Sequence, residues 1–359
     1  MKAVCNIPVI TVGRINDPRM ADSIIRTGKA DLVAMGRASL VDPEMPNKTK
    51  EGRFEDIRHC IGCNAGCMGN QLKGLPSACV LNPVRGHEHE EGVKATDTPK
   101  KVLVVGAGPA GLQVAITAAQ AGHKVKVYEK TNHPGGQFRL AAVPPSKGEI
   151  IDFINWQTTQ LKKLDVEIVY NTEVTPELLA AEKPEVVVVA TGARPFIPPI
   201  PGVELPHVVT AWSILAGENN FGNNCVVIGG GQVGAETAHH LAIQFKNVSI
   251  VEMMPVIAGD EVPINRILLM GELEKRRVGM YTNAKVKEIT EQVVRIEQNG
   301  TVMELPADTV VLATGSKPNI DLVTQIETGG YDVKVIGDAV AIGTVMEAVR
   351  AGYELGKSL

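Results

Sequence analysis

The apolar positions of this chain fall in short continuous runs. Lys101-Val-Leu-Val-Val105, Glu185-Val-Val-Val-Val-Ala190, Asn224-Cys-Val-Val-Ile228 and Thr309-Val-Val-Leu-Ala313 suit strands buried on both faces of a parallel sheet. Val125-Lys-Val-Tyr-Glu129, Val248-Ser-Ile-Val-Glu252 and Val333-Lys-Val-Ile-Gly337-Asp338 are further strands, each ending in an acid. Helices are expected over residues 112–121, from Ala235 onward and over 345–357. Strand and helix therefore alternate, and the fold class is α/β with two Rossmann-like parallel sheets. Near the amino terminus, residues 8–12 and 31–35 read as strands flanking a helix that starts at Asp17-Pro18 and stops at Gly28. Residues 82–101, with His87-Glu-His-Glu-Glu91, carry no apolar period and read as a linker with a solvated charge run.

One polar stretch stands apart. Cys60-Ile-Gly-Cys63-Asn-Ala-Gly-Cys67, closed by Cys79, gathers four of the six cysteines in a loop loosened by Gly62, Gly66, Gly69 and Gly74. Four thiolates on such a loop suit a [4Fe-4S] cluster, so Cys60, Cys63, Cys67 and Cys79 are candidate ligands. Zinc competes, but four-cysteine zinc sites commonly pair two C-x2-C units, whereas here one pair is followed by single cysteines after three and eleven residues. Disulfides would suit an exported chain, and nothing ahead of the cysteines reads as an export signal.

Charge and length narrow the partners. A formal net charge of −4 over 359 residues argues against a nucleic acid or an anionic membrane, both of which need a basic face. No run approaches the roughly 18 apolar residues of a membrane span. The expectation is a cytoplasmic protein of two or three domains.

The first glycine turn, Gly106-Ala-Gly108-Pro-Ala110-Gly111, joins a strand to a helix. Its glycines permit the tight turn and the close approach of a pyrophosphate, and Glu129 ends the next strand where a ribose would lie. Gly229-Gly-Gly231-Gln-Val-Gly234 with Glu252 repeats the pattern, and Met253-Met-Pro255 follows with no arginine to receive a 2′-phosphate. This favours NADH on the second fold and a flavin on the first. Ala190-Thr191-Gly192 and Ala313-Thr314-Gly315 are near copies, placed where the chain would leave the first fold and return. Asp338 ends a strand where it can meet a ribityl hydroxyl. Both early strands deliver Gly-Arg, as Gly13-Arg14 and Gly36-Arg37, the pattern of the phosphate loops after strands 7 and 8 of a (β/α)8 barrel.

These motifs, with Gly135-Gly136-Gln137, resemble the C-terminal part of the iron–sulfur flavoenzymes of the old yellow enzyme group: 2,4-dienoyl-CoA reductase, enoate-reductase-like NADH:flavin oxidoreductases and trimethylamine dehydrogenase. The resemblance covers essentially the whole chain. It implies an FMN-barrel remnant over residues 1–55, a cluster loop over 56–86, a linker over 87–100, an FAD domain over 101–200 and 313–359, and an NADH domain over 201–312. It also implies a relay from NADH through FAD and the [4Fe-4S] cluster to FMN, which reduces an activated carbon–carbon double bond. Gly36 and Arg37 would belong to the FMN phosphate site, Gly108, Ala110, Glu129, Gln137 and Asp338 to FAD, and Gly231, Gly234 and Glu252 to NADH. Gly13, Arg14, Gly106, Gly111, Gly136, Ala190, Thr191, Gly192, Gly229, Gly315 and Gly337 join the cofactor sites through their motifs.

About six barrel strands are missing, and with them the catalytic acid, the substrate pocket and most FMN contacts, so no catalytic residue is assigned. The strand faces of residues 1–55 are expected to be exposed or poorly ordered, and the chain to act as a fragment with NADH-to-acceptor activity through FAD. A small enoate, enoyl-CoA or amine is the implied substrate of the full-length protein, and homo-oligomerisation is open. Two other classes stay open. An amine-dehydrogenase-like electron-transfer protein would hold a structural ADP, against which stand the intact Gly229 turn and Glu252. A thioredoxin-reductase-like enzyme needs a cysteine pair, and Cys225 is the only cysteine between 200 and 312.

Overall fold

The computed structural model describes residues 2–90, 92–326 and 329–359, so Glu91 of the expected charge run lies outside the described residues. The chain divides into two compact units, one of Met1–Gly136, Glu149–Thr191 and Ile320–Leu359, the other of Gln137–Gly148 and Gly192–Asn319.

The first unit is built on a five-stranded parallel sheet in the order Asp332–Val335, Val186–Val189, Lys101–Val105, Lys124–Tyr128, Glu167–Val169. Its continuous valine runs are explained by two cores: Val102, Val104, Val186 and Val188 enter one face, and Leu103, Val105, Val187 and Val189 the other. Each such side chain contributes about 1.5–3 kcal/mol by leaving water. Helix Val345–Ser358, opened by a capping box between Thr344 and Glu347, lies directly on helix Pro109–Gln120. Gly352 and Gly356 allow that approach, since a Cβ on them would stand 2.5 Å from the Ala110 carbonyl oxygen and 2.7 Å from Thr117 Cβ.

The amino-terminal segment keeps its strand–helix–strand form. Ile10–Val12 pairs in parallel with Leu32–Ala34, and Asp17 caps helix Pro18–Arg26 by accepting from the Arg19 N–H at 2.8 Å. Ile10, Val12 and Leu32 are 62%, 74% and 52% exposed, the uncovered faces expected of a partial barrel. The stretch after them is better packed than the sequence reading allowed. Ala38, Met45 and Ile57 form a small core. Asp56 is tied to helix Ile150–Lys163 by Lys163 at 2.5 Å and Gln160 at 3.2 Å, and its carbonyl accepts from Trp156 Nε1 at 2.9 Å. Gly36 and Arg37, read as a strand-end loop, instead open the short helix Gly36–Val41. The polar stretch also starts inside the packed unit: Leu81 and Asn82 are buried, and Arg350 of the last helix donates to the Pro83 carbonyl and pairs with Glu90 at 3.2 Å.

The second unit holds a parallel sheet in the order Gly279–Tyr281, Asn247–Val251, Asn224–Ile228, Thr309–Leu312, Val208–Thr210, together with an antiparallel sheet of Ala284–Ile289, Val293–Gln298 and Thr301–Pro306. Ala193–Pro195 pairs with Ser316–Pro318 in the same unit. The two crossings therefore fall at 191/192 and 319/320, where 200/201 and 312/313 were expected, and residues 137–148 belong with the second unit.

Two inner strands of the first sheet carry a pH-sensitive contact. Glu182 accepts from Tyr128 and Lys101 and pairs with Lys126, and these partners, Tyr128 first, hold its carboxyl down at about 2 from an ordinary 4.5. A depressed acid stabilises the fold above its unfolded pKa, so this contribution is complete above about pH 4.5 and is lost as pH falls toward 2. Glu182→Gln is expected to cost about 1 kcal/mol at pH 7, after allowance for solvent screening, and almost nothing at pH 2, read from denaturant midpoints at the two pH values.

Candidate functional site

The two glycine turns are built alike. In each, the strand returning from across the sheet passes so close to the first glycine that no side chain fits. A Cβ on Gly106 would stand 2.5 Å from the Ala190 carbonyl oxygen, and one on Gly229 would overlap that of Ala313. This gives the paired Ala-Thr-Gly stretches a steric role, because their strand ends form the back of each turn. The acids correspond as well. Glu129 accepts from the Ala107 N–H and the Thr131 N–H, both at 2.8 Å, while Glu252 accepts from the Gly230 N–H at 2.5 Å and the Met254 N–H at 2.7 Å. Each carboxylate is thereby fixed beside its turn, and carboxylate oxygens have lone pairs to spare for a ribose hydroxyl.

Other motifs converge on the first turn. Gly135 donates its N–H to the Ala107 carbonyl at 2.8 Å, and a Cβ on Gly136 would lie 3.3 Å from Gly108 Cα. Gly337, at φ +65°, approaches Ala110 and brings Asp338 to the start of helix Pro109–Gln120, where Asp338 accepts from the Gly343 N–H at 3.1 Å. Nothing lies within 4 Å of a Cβ on Gly108, which leaves the helix N-terminus open to a pyrophosphate. Gln137 and Gly192 fall in the second unit, with Gln137 Nε2 3.5 Å from a Cβ built on Gly192, and Gly315 there accepts at its carbonyl from the Phe196 N–H at 2.9 Å.

The second turn differs in one respect that the sequence reading missed. Asp260 accepts from the Gln232 N–H at 2.7 Å, and its carboxylate lies 3.4 Å from a Cβ built on Gly231, so helix Gln232–Ala242 already has an anion at its N-terminus. Ala258, at φ +50°, donates its N–H to the Gly230 carbonyl at 2.7 Å and seats this loop on the turn. On the same helix Glu236 is buried against Lys147, and burial pushes its carboxyl up.

The four cysteines of the loop line one pocket with Arg37, Asn64 and Leu81, and they are not disulfide-bonded. Asn16 braces the first of them, accepting from the Cys60 N–H at 2.8 Å and donating to its carbonyl at 2.7 Å. Gly66 meets the returning segment so closely that a Cβ would stand 2.7 Å from the Ala78 carbonyl oxygen. Burial pushes the Cys63 thiol up to about 12, and the charges of Cys79, Cys60 and Cys67 add to that shift. Cys79 is also raised by burial, against N–H donation from Leu81 and Asn82. Among the described residues no three His, Cys, Asp or Glu side chains are gathered as ligands of a single metal ion. The donor set, four thiols sharing one pocket, fits a thiophilic group in kind.

The Gly-Arg pairs turn to this loop. Arg37 donates to Asn64 Oδ1 at 2.7 Å, and Arg14, paired with Glu149, has its guanidinium 3.1 Å from a Cβ built on Gly62. Sequence reasoning also missed Arg58: its guanidinium stacks on the Trp156 ring, 4.7 Å from its centre, and donates to the Leu81 carbonyl at 2.7 Å. The one sequence signal was an arginine two places before the cysteine motif.

Two parallel-sheet folds, each with a glycine turn backed by Ala-Thr-Gly and an acid at the ribose position, define the class of pyridine-nucleotide-dependent flavoprotein oxidoreductases. The chain belongs to the pyridine nucleotide-disulphide oxidoreductase family, whose model matches residues 100–340, and its residues 1–56 match the NADH:flavin oxidoreductase / NADH oxidase family, which puts it among the old yellow enzyme flavoenzymes. It is 43% identical over 364 residues to the NADH oxidase of Thermoanaerobacter brockii, covering 99% of this chain and 56% of that protein. It is 34% identical over 362 residues to the cinnamate reductase of Clostridium sporogenes, covering 100% and 54%. Among solved structures, a 2-naphthoyl-CoA reductase in complex with 2-naphthoyl-CoA superposes with a TM-score of 0.97 at 32% identity, over 100% of this chain and 55% of that one. The chain spans about half the length of the curated relatives it matches.

Proposed function

We propose that this chain is the electron-delivering part of an NADH-dependent flavin and iron–sulfur oxidoreductase. NADH would bind at the second glycine turn, FAD at the first, and a [4Fe-4S] cluster at Cys60, Cys63, Cys67 and Cys79. The observation that carries this reading is helix Ile150–Lys163, which touches both of the first unit's sites: Gln157 donates to the Pro109 carbonyl at the glycine turn at 3.3 Å, and one turn away Trp156 and Lys163 hold residues 56–58 ahead of the cysteines. A flavin takes a hydride as an electron pair, and an iron–sulfur group passes electrons singly. The chain's own part is binding and orientation. Backbone N–H groups at Gly108 and the helix it opens receive a pyrophosphate, Glu129 and Glu252 accept from ribose hydroxyls, and Glu252 repels a 2′-phosphate. Gly36 and Arg37 would join an FMN site only together with the rest of a barrel. In the full-length protein the electrons would reduce an activated double bond of an enoate or enoyl-CoA, the class in the names of the cinnamate and naphthoyl-CoA reductases.

An anaerobic spectrum and iron count of the purified, flavin-loaded chain, before and after NADH, test this reading. About four irons per chain and bleaching by NADH are expected. A flavin that stays oxidised would reject NADH as donor and leave the structural-ADP reading, while zinc in place of iron would remove the cluster.

Asp260 supplies a narrower prediction. Its carboxylate and a pyrophosphate would compete for one helix end, so Asp260→Asn is expected to tighten NADH binding about two- to fivefold, as judged by quenching of NADH fluorescence.

A further inference from the structure

Beside the cysteines stands a buried positive charge that, among the described residues, has no carboxylate of its own. Arg58 has its Nε sealed from solvent with no acceptor, and among the described residues no carboxylate pairs with its guanidinium. Asp42 accepts from the Arg58 backbone N–H at 2.9 Å and attracts the guanidinium, but it is shared with Lys48, which pairs with it at 2.7 Å. A guanidinium stays protonated in proteins, and a cation drawn out of water without a counter-ion is costly. Such a group is retained where an anion belongs beside it.

We propose that Arg58 is the counter-ion of the cysteine-bound cluster, and that its fixed charge makes that centre easier to reduce. The proposal rests on the iron–sulfur reading above and names the residue that tunes the centre. Arg58 Nη1 donates at 2.7 Å to the carbonyl of Leu81, two residues after Cys79. Holding that oxygen fixes both the guanidinium and the backbone that follows the cysteine. Trp156 keeps the guanidinium in place by stacking, and is itself anchored by Nε1 on the Asp56 carbonyl. Each electron received at four thiolates adds one negative charge, so a fixed cation beside them favours the reduced form.

The test is a redox titration of the whole flavin- and iron-loaded chain, followed by the electron paramagnetic resonance signal of the reduced cluster. Arg58→Gln is expected to keep its iron and to shift the midpoint to lower potential, by about 59 mV if the guanidinium favours reduction tenfold. Arg58→Lys, which keeps the charge, should stay near wild type. Equal midpoints in wild type and Arg58→Gln would overturn the proposal. If Arg58→Gln loses its iron, the lysine variant decides. Iron and midpoint near wild type in Arg58→Lys support the charge as the requirement, and loss of iron from both variants overturns it in favour of a clamp. A wild-type chain without iron would instead refute the iron–sulfur reading, before any substitution is made.

Discussion

Cys63→Ala is expected to yield a chain that binds flavin and is bleached by NADH but carries less than one iron in place of about four. Cys63 is the thiol whose charge the pocket resists most clearly, since burial, with the neighbouring cysteines adding to it, lifts it to about 12. A bound cationic group reverses that cost by taking the sulfur as thiolate, so the cysteine matters only when the group is present. Without it, Cys63 is a small, half-buried hydrophobe, and alanine there should change the stability of the iron-free chain by less than about 1 kcal/mol. The loaded wild type should melt well above both, because a ligand that binds only the folded state stabilises it by mass action. Thermal melts of wild type and variant, with and without an iron chelator, check this. A variant that retains its iron would exclude Cys63 as a ligand.

Gly111→Ala is expected to abolish flavin binding while leaving the second unit able to bind NADH. A Cβ on Gly111 would overlap the Gly106 carbonyl oxygen and stand 3.3 Å from Ala190 Cβ. Neither neighbour has a flexible end to yield, and helix Pro109–Gln120 cannot retreat because Gly352 and Gly356 hold the last helix against its other side. The cost of such overpacking is about 3 kcal/mol or more. Gly234 occupies the same position against Gly229 and Ala313, so Gly234→Ala should do the reverse, keeping the flavin and losing NADH. The flavin-to-protein absorbance ratio and an NADH titration on both variants read the outcome. Flavin at wild-type occupancy in Gly111→Ala would count against the first turn as its site.

Much of the architecture was legible because it rests on local rules. Valine runs buried on both faces, an aspartate cap at Asp17 and glycine turns followed about twenty residues later by an acid are all short-range patterns, and the structure has each of them. The antiparallel sheet of residues 284–306 was not legible. Its strands are half exposed, as in Thr301–Pro306, and their alternating polar positions resemble turn-rich coil. The limits of the two compact units were not legible for a similar reason, since Ala193–Pro195 and Ser316–Pro318 are three-residue strands that acquire meaning only by pairing with each other.

The site divides along the same line. From the order of residues alone came the four cysteines, the two turns, Glu129, Glu252 and Asp338, because each belongs to a motif whose spacing follows from backbone geometry and ligand chemistry. Folding alone decided that Asp260 stands at the second helix end, that Arg14 and Arg37 turn to the cysteine loop, and that Arg58 rests on Trp156, 98 residues further along the chain. No local propensity encodes those meetings. They arise where separate elements pack, and the exclusion of water between them is what gives a buried charge such as that of Arg58 its influence.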